Sequence, residues 1–304
     1  MMYKILANDG IDASAAEKLR ELGYDVEVKF YDKDELVSKI KEIDCIIIRS
    51  ATKIREDLID IALEAGQLKL IIRAGVGIDN IDHVYAKSKG ISVRNTPNSS
   101  SDAVAELALG HMFALARHIY ISNVTMRQGL WNKKLYKGIE LNGKTLGLIG
   151  FGRISQSVAK KAMALGMKII YNDFLGASDK LPECKFVSKD ELLAQSDFIS
   201  LHIPFIKANG PALSTEEFNK MKKGMYVINT ARGGVIDENA LLIALDSGIV
   251  AKAALDVYEN EPCKDERIYT HELISLTPHI GAATKEAQAR IGLETIDVIK
   301  ESLI

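Results

Sequence analysis

Along the first third of the chain, apolar residues fall into short unbroken runs. Each run is followed by a stretch in which they recur every three or four positions. The runs at 3–7, 26–30, 45–48, 69–72 and 91–94 predict strands, and the periodic stretches at 14–22, 32–40, 56–63 and 80–89 predict amphipathic helices. Gly23 and Gly90 stand where a helix C-terminus favours a left-handed residue. The polar stretch 95–101 is rich in turn formers and reads as a crossing between domains. A long apolar helix follows at 103–119, capped by Ser101 or Asp102, and then a polar arm at 122–138 that holds the only tryptophan, Trp131. The alternation then starts again, with strands at 145–149, 167–171, 197–201, 225–229, 252–256 and 273–276. Its helices are expected at 156–165, 188–194, 215–221 and 238–245, and a closing helix at 284–299. Two such series predict an α/β protein with two doubly wound parallel sheets, each covered by helices on both faces.

Length and charge narrow the class. With 304 residues, 47% of them hydrophobic, the chain can build two cores of ordinary size. A net charge of −2, from 39 basic and 41 acidic residues, gives no bulk field to recruit nucleic acid or an anionic membrane. No segment approaches the apolar length of a membrane span, and the start of the chain lacks the pattern of a signal peptide. Cys45, Cys184 and Cys263 are scattered without zinc-site spacing; Cys45, inside an apolar run, reads as a reduced core thiol. A cytoplasmic location is expected, with no metal.

The stretch 145–173 carries the first chemistry. A short apolar strand turns through Gly150-Phe151-Gly152 directly into a helix, and a second apolar strand ends at Asp173. In a dinucleotide fingerprint the first glycine makes the tight turn and the second lets backbone N–H groups approach the pyrophosphate at the helix N-terminus. The third glycine position holds Ser155, so the motif stands by its context and not as a string. An acid about 20 residues on grips the ribose hydroxyls. Asp173 would also repel a 2′-phosphate, and Phe174-Leu175 offers no arginine to welcome one, so NAD is expected over NADP.

Three residues further on have the characters of an active site. Arg232 lies in Asn229-Thr230-Ala231-Arg232-Gly233-Gly234, just past a strand, where a guanidinium can hold a carboxylate in two parallel hydrogen bonds. Glu261 and His279 each follow a strand as well, and a His with a carboxylate forms an acid–base pair. Each also has a plainer reading: a surface arginine, a solvated glutamate, a structural histidine. His202, in Ser200-Leu201-His202-Ile203-Pro204, competes for the catalytic role, although its position also suits cofactor lining. His83, His111, His118 and His271 sit in helical or turn contexts without evident partners and read as structural or surface residues.

Taken with Arg49-Ser50-Ala51-Thr52-Lys53, the segment 73–82, Asn95-Thr96-Pro97-Asn98, the segment 140–147, Ala254-Leu255-Asp256-Val257 and the segment 278–282, these motifs span nearly the whole chain. The chain resembles the D-2-hydroxyacid dehydrogenase family, and most closely its phosphoglycerate dehydrogenase branch. The resemblance implies a discontinuous substrate domain, 1–95 with 281–304, around an inserted cofactor domain, 96–280. It implies Arg232, Glu261 and His279 as the catalytic set. For NAD it nominates Val76, Gly150, Gly152, Arg153, Ile154, Asp173, His202, Ile203, Pro204, Thr230, Ala231, Arg232, Asp256, His279, Gly281 and Ala282. For a phosphorylated 2-hydroxy acid it nominates Arg49, Arg73, Gly75, Val76, Gly77, Asn98 and Lys133, besides Arg232 and His279. The long helix and the Trp131 arm resemble the family's dimer-forming elements, so a homodimer is expected. Two departures stand out. The chain stops at Ile304, right after the closing helix, so feedback by serine through a C-terminal extension is not expected, and 205–213, with Pro211, departs from the family pattern. A glyoxylate/hydroxypyruvate or D-lactate reductase with the same catalytic set stays open, as does a protein that senses NAD(H) without turnover.

Overall fold

The computed structural model describes residues 2–303. The chain divides into two compact units, one running to Ser101 and resuming at Ala282, the other spanning Asp102–Gly281. The boundary expected at 95/96 therefore falls at 101/102. The polar stretch before it belongs to the first unit: the Thr96 amide donates to the Gly75 carbonyl at 3.0 Å, and the Asn98 side chain to Glu294 at 2.8 Å.

In the first unit, β1 (Lys4–Ala7), β2 (Asp25–Val28), β3 (Cys45–Ile48), β4 (Leu70–Arg73) and β5 (Ser92–Asn95) form a parallel sheet of order β2-β1-β3-β4-β5. Side chains alternate across a strand, so each strand supplies two cores. Ile5, Ala7, Cys45, Ile47, Leu70 and Ile72 meet α1 (Ala13–Glu21) and the closing helix. Leu6, Ile46, Ile48 and Ile71 meet α2 (Lys33–Lys39), α3 (Glu56–Ala65) and α4 (His83–Ser88). Burial on both faces explains why Cys45–Ile48 is apolar throughout.

The second unit opens with α5 (Ser101–Arg117) and α6 (Ile119–Arg127). Its parallel strands are β6 (Thr145–Ile149), β7 (Lys168–Asn172), β8 (Lys185–Phe186), β9 (Phe198–Leu201), β10 (Met225–Asn229), β11 (Val250–Leu255) and β12 (Ile274–Leu276). They lie in the order β12-β11-β10-β9-β6-β7-β8. On one face α5 and α7 (Arg153–Ala164) pack over Leu146, Leu148, Tyr171, Phe198 and Ile228. On the other, α8 (Lys189–Gln195), α9 (Thr215–Asn219) and α10 (Glu238–Asp246) cover Ile170, Ile199, Val227 and Leu255. A short α11 (Glu266–Tyr269) precedes β12, and α12 (Lys285–Ser302) closes the chain.

Three sequence expectations change. The arm at 122–138 is helical over its first part, because α6 resumes after a break at His118, whose backbone is left-handed (φ 56°). The two-residue edge strand β8 and the one-turn α11 are too short to leave a periodic signal. His111 and His118 are also far from partnerless: His111 Nε2 lies 3.0 Å from Thr277 Oγ1, and Lys252 Nζ lies 2.8 Å from His118 Nδ1.

Candidate active site

The nominated residues of the second unit sit just past the carboxyl ends of its strands. Gly150–Gly152 follows β6, Asp173 follows β7, and His202–Pro204 follows β9. Thr230–Gly234 follows β10, Asp256–Glu261 follows β11, and Thr277–Gly281 follows β12. All strands being parallel, these loops emerge at one edge of the sheet, and the order turns back at β6, where such sheets take ligands.

Gly150 has φ 88°, and a Cβ there would lie 2.6 Å from Ile203 Cγ2 and 2.7 Å from the His202 carbonyl oxygen. Only glycine fits this turn. Gly152 is the N-cap of α7 with no side-chain cap, and a Cβ on it would meet open space. That cradle, formed at an uncapped N-terminus of a twelve-residue helix, suits a pyrophosphate. Two further observations fit a nucleotide. Thr230 Oγ1 is buried without a hydrogen-bond partner, and so is His202 Nδ1. Ser155, in the third fingerprint position, is fully buried with its hydroxyl also unpartnered, so a small side chain is tolerated there at a polar cost. Asp173 holds the turn from below: its carboxylate accepts from the Phe151 amide at 2.6 Å and the Leu175 amide at 2.9 Å.

His202 is removed from acid–base work by its surroundings. Burial pushes its imidazole down to about 3, and its Nε2 lies 2.9 Å from Ser200 Oγ. A ring held neutral at working pH can line a cofactor site but cannot cycle its charge.

The other histidine differs. His279 Nδ1 lies 2.7 Å from Glu261 Oε2, and Glu261 Oε1 accepts from the Tyr258 amide at 3.2 Å. With the carboxylate on Nδ1, that nitrogen carries the proton and Nε2 is left to face a reacting group. Burial would raise the Glu261 carboxyl. The His279 hydrogen bond, that ring's charge, the Tyr258 amide and the Arg232 charge outweigh it and hold the group below its ordinary value. The acid thus stays ionised and stabilises a protonated ring. A cavity of about 380 Å³ borders the pair, lined also by Tyr258, Cys263, Tyr269 and Leu276.

Arg232 joins this pair because two loops approach closely. A Cβ on Gly233 would fall 1.8 Å from the Tyr258 carbonyl oxygen, so glycine alone lets the β10 loop lie against the β11 loop that carries Glu261. Asn229 fixes the turn: its Nδ2 donates to the Arg232 carbonyl at 2.9 Å, and its Oδ1 accepts from the Ala231 amide at 3.0 Å. His279 itself has a left-handed backbone, φ 54°, which costs a non-glycine residue about 1–2 kcal/mol. Asp256 compensates. Its carboxylate accepts from Thr277 Oγ1 (2.6 Å), the Ile280 amide (2.8 Å) and the Gly281 amide (2.9 Å), and its carbonyl from the His279 amide (2.8 Å). Nominated for the cofactor, Asp256 has both carboxylate oxygens engaged in this turn.

In the first unit, the Asp9 carboxylate accepts from the Arg49 amide at 2.6 Å and the Thr52 amide at 3.0 Å, and Asn80 Nδ2 donates to the Arg49 carbonyl at 2.7 Å. These bonds shape the loop after β3. A cavity of about 460 Å³ is lined by Arg49, Lys285 and Thr284 at the start of α12, with Asp12, Ala283 and Gln288. Two cations and a helix N-terminus favour an anion. Arg73 and Gly75–Gly77 lie at and beyond the end of β4, where the Val76 carbonyl accepts from Asn95 Nδ2 at 2.5 Å. Asn98, expected at the substrate, has its side-chain amide committed to Glu294. Lys133 is exposed on a single 3-10 turn, Lys133–Leu135. Reading the sequence passed over Asn229, Tyr258 and Thr277 as parts of this site; only their places beside Arg232, Glu261 and His279 signalled them.

The chain matches known proteins over nearly its whole length. Residues 109–281 match the model of the NAD-binding domain of D-isomer-specific 2-hydroxyacid dehydrogenases. The chain is 47% identical to a hydroxypyruvate reductase of Thermotoga maritima, over 99% of this chain and 98% of that one. It is 44% identical to a D-3-phosphoglycerate dehydrogenase of Methanocaldococcus jannaschii over 99% of its own length, but spans only 58% of that protein. Among solved structures, a D-lactate dehydrogenase of Aquifex aeolicus superposes with a TM-score of 0.86 at 30% identity, covering 98% of this chain and 94% of that one.

Proposed function

Because the chain belongs to the D-isomer-specific 2-hydroxyacid dehydrogenases, with an NAD-binding domain in its second unit, we propose that it oxidises D-3-phosphoglycerate to 3-phosphohydroxypyruvate reversibly. The observation that carries the chemistry is the 2.7 Å contact of His279 with an ionised Glu261 beside the Arg232 loop. Arg232 holds the substrate carboxylate and so fixes C2 in line for reaction. His279 Nε2 takes the C2 hydroxyl proton during oxidation and returns it during reduction. Glu261 keeps the ring in the tautomer that leaves Nε2 bare, and stabilises the imidazolium once formed. Bound NAD supplies the hydride acceptor; Gly150, Gly152 and the first amides of α7 would hold its pyrophosphate, and Asp173 its adenosine ribose. The absence of an arginine after Asp173 favours NAD over NADP. For a substrate phosphate we nominate Arg49 and Arg73. Residues 119–135, with exposed Ile119, Val124, Met126, Leu130 and Trp131, are our candidate for a homodimer face.

A second reading has an observation of its own. The chain is 47% identical to the hydroxypyruvate reductase, against 44% for the phosphoglycerate dehydrogenase. Hydroxypyruvate lacks the phosphate and uses the same catalytic set. Steady-state NAD reduction with D-3-phosphoglycerate, D-glycerate and D-lactate separates the two. The proposal expects kcat/KM for the phosphorylated acid at least tenfold above the others. Equal or higher values for D-glycerate would assign the reductase, and NADH binding without turnover of any 2-hydroxy acid would indicate a sensor.

A further inference from the structure

We infer that His111 and Thr277 are positioning residues for His279, acting through Asp256 from the interior of α5. The inference rests on His279 being the acid–base group of the proposed reaction.

Asp256 is buried, and its carboxylate accepts from two backbone amides, those of Ile280 and Gly281, as an ionised group does. A carboxylate has no proton to give, so the 2.6 Å contact with Thr277 must use the threonine hydroxyl as donor. A hydroxyl has one hydrogen. Thr277 Oγ1 can therefore only accept from its other neighbour, His111 Nε2, at 3.0 Å. That places the His111 proton on Nε2 and leaves Nδ1 bare, to accept from Ser275 Oγ at 3.3 Å. Every group in the chain Ser275, His111, Thr277, Asp256 is then satisfied with a neutral ring. Burial lowers the pKa of His111, with the Asp256 charge opposing, which agrees with that state.

The far end of the chain is the turn that carries His279. Asp256 receives the amides of the two residues after His279 and, through its own carbonyl, the amide of His279 itself. On the near side, the Tyr258 hydroxyl shares its one hydrogen between the Thr277 carbonyl at 2.9 Å and the Leu255 carbonyl at 3.1 Å. The left-handed backbone at His279 is thus held from both sides, and Thr277 is the one residue that joins the two braces. His111 anchors Thr277 from a rigid place: it is 3% exposed, on a helix whose Ala108, Met112 and Leu115 are buried against the sheet. A residue remote in sequence, His111, thereby bears on the orientation of the ring whose Nδ1 meets Glu261.

The test uses the full chain and four substitutions. Thr277→Val removes the donor at constant shape, and Thr277→Ser restores it. His111→Leu removes the anchor, and His111→Gln offers an amide N–H near the position of Nε2. In Thr277→Val and His111→Leu, kcat is expected to fall about tenfold or more while the NADH dissociation constant stays near wild type; the buried groups left unpaired lower the unfolding midpoint by a few degrees. The Ser and Gln variants are expected to recover most of the loss. Turnover is backed by a readout that needs none: in 15N-histidine-labelled protein, the downfield Nδ1 proton of the His279–Glu261 bond should shift or broaden in the Val and Leu variants and return in Ser and Gln. An unchanged resonance in Thr277→Val, or a fall in kcat matched by an equal fall in NADH affinity, overturns the inference. A wild type that turns over no 2-hydroxy acid overturns the functional reading instead, and the resonance still decides the positioning.

Discussion

Asp173, the ribose acceptor we propose, also holds the glycine turn. Its position at the end of the second strand of a fingerprint marks it for a ribose, and this much is legible in the sequence. That its two oxygens also receive the Phe151 and Leu175 amides is not, since that needs the turn geometry. Asp173→Ala should therefore loosen the glycine turn as well as remove the ribose acceptor. We expect KM for NAD to rise by about tenfold or more, equivalent to about 1.4 kcal/mol, and preference over NADP to relax. Steady-state kinetics with both cofactors checks this; unchanged preference would place the acid outside the ribose site. Arg232, Glu261 and His279 have fitting chemical types at strand ends, which alone leaves their plainer readings open; the family resemblance is what nominates them. Their braces leave no such signal, because Asn229, Tyr258 and Thr277 act through hydrogen bonds that only the turn geometry brings together.

At the scale of elements, the runs of apolar residues located the long parallel strands well, because strands buried on both faces must be apolar throughout. What escaped was the break between α5 and α6. Leu115 and His118 there receive Lys252, a buried lysine on β11: its Nζ donates to the Leu115 carbonyl at 3.1 Å and to His118 Nδ1 at 2.8 Å. Burial pushes the Lys252 ammonium down to about 8 from an ordinary value of 10.5. Between these values the unfolded chain keeps the proton and the folded chain does not, so this lysine makes stability rise with pH over that window and contributes no slope below it. Lys252→Met removes the contribution. Chemical denaturation of the variant and wild type should show the difference moving in favour of wild type from pH 8 to 10.5. A difference independent of pH would show that the lysine titrates as it does in water.

For the whole molecule, the sequence carries two domains and their order clearly, and misplaces the boundary by a few residues because Thr96 and Asn98 bond back into the first unit. The apolar residues around Trp131, itself 77% exposed, are the surface we propose that two copies cover. Trp131→Glu should shift sedimentation from dimer to monomer at micromolar concentration; an unchanged coefficient would put the pairing face elsewhere. The NAD-binding domain and the proposed catalytic set lie in one unit, and the proposed reaction turns on the acid–base role of His279. It is tested most directly by the single-turnover rate of NAD reduction in His279→Ala at saturating 2-hydroxy acid, with NADH affinity measured on the same preparation. General acid–base work of this kind contributes about 10²–10⁴ in rate. The account predicts a fall of at least about a hundredfold, with NADH affinity within about threefold of wild type; an undiminished rate, or equal losses of rate and affinity, would contradict it.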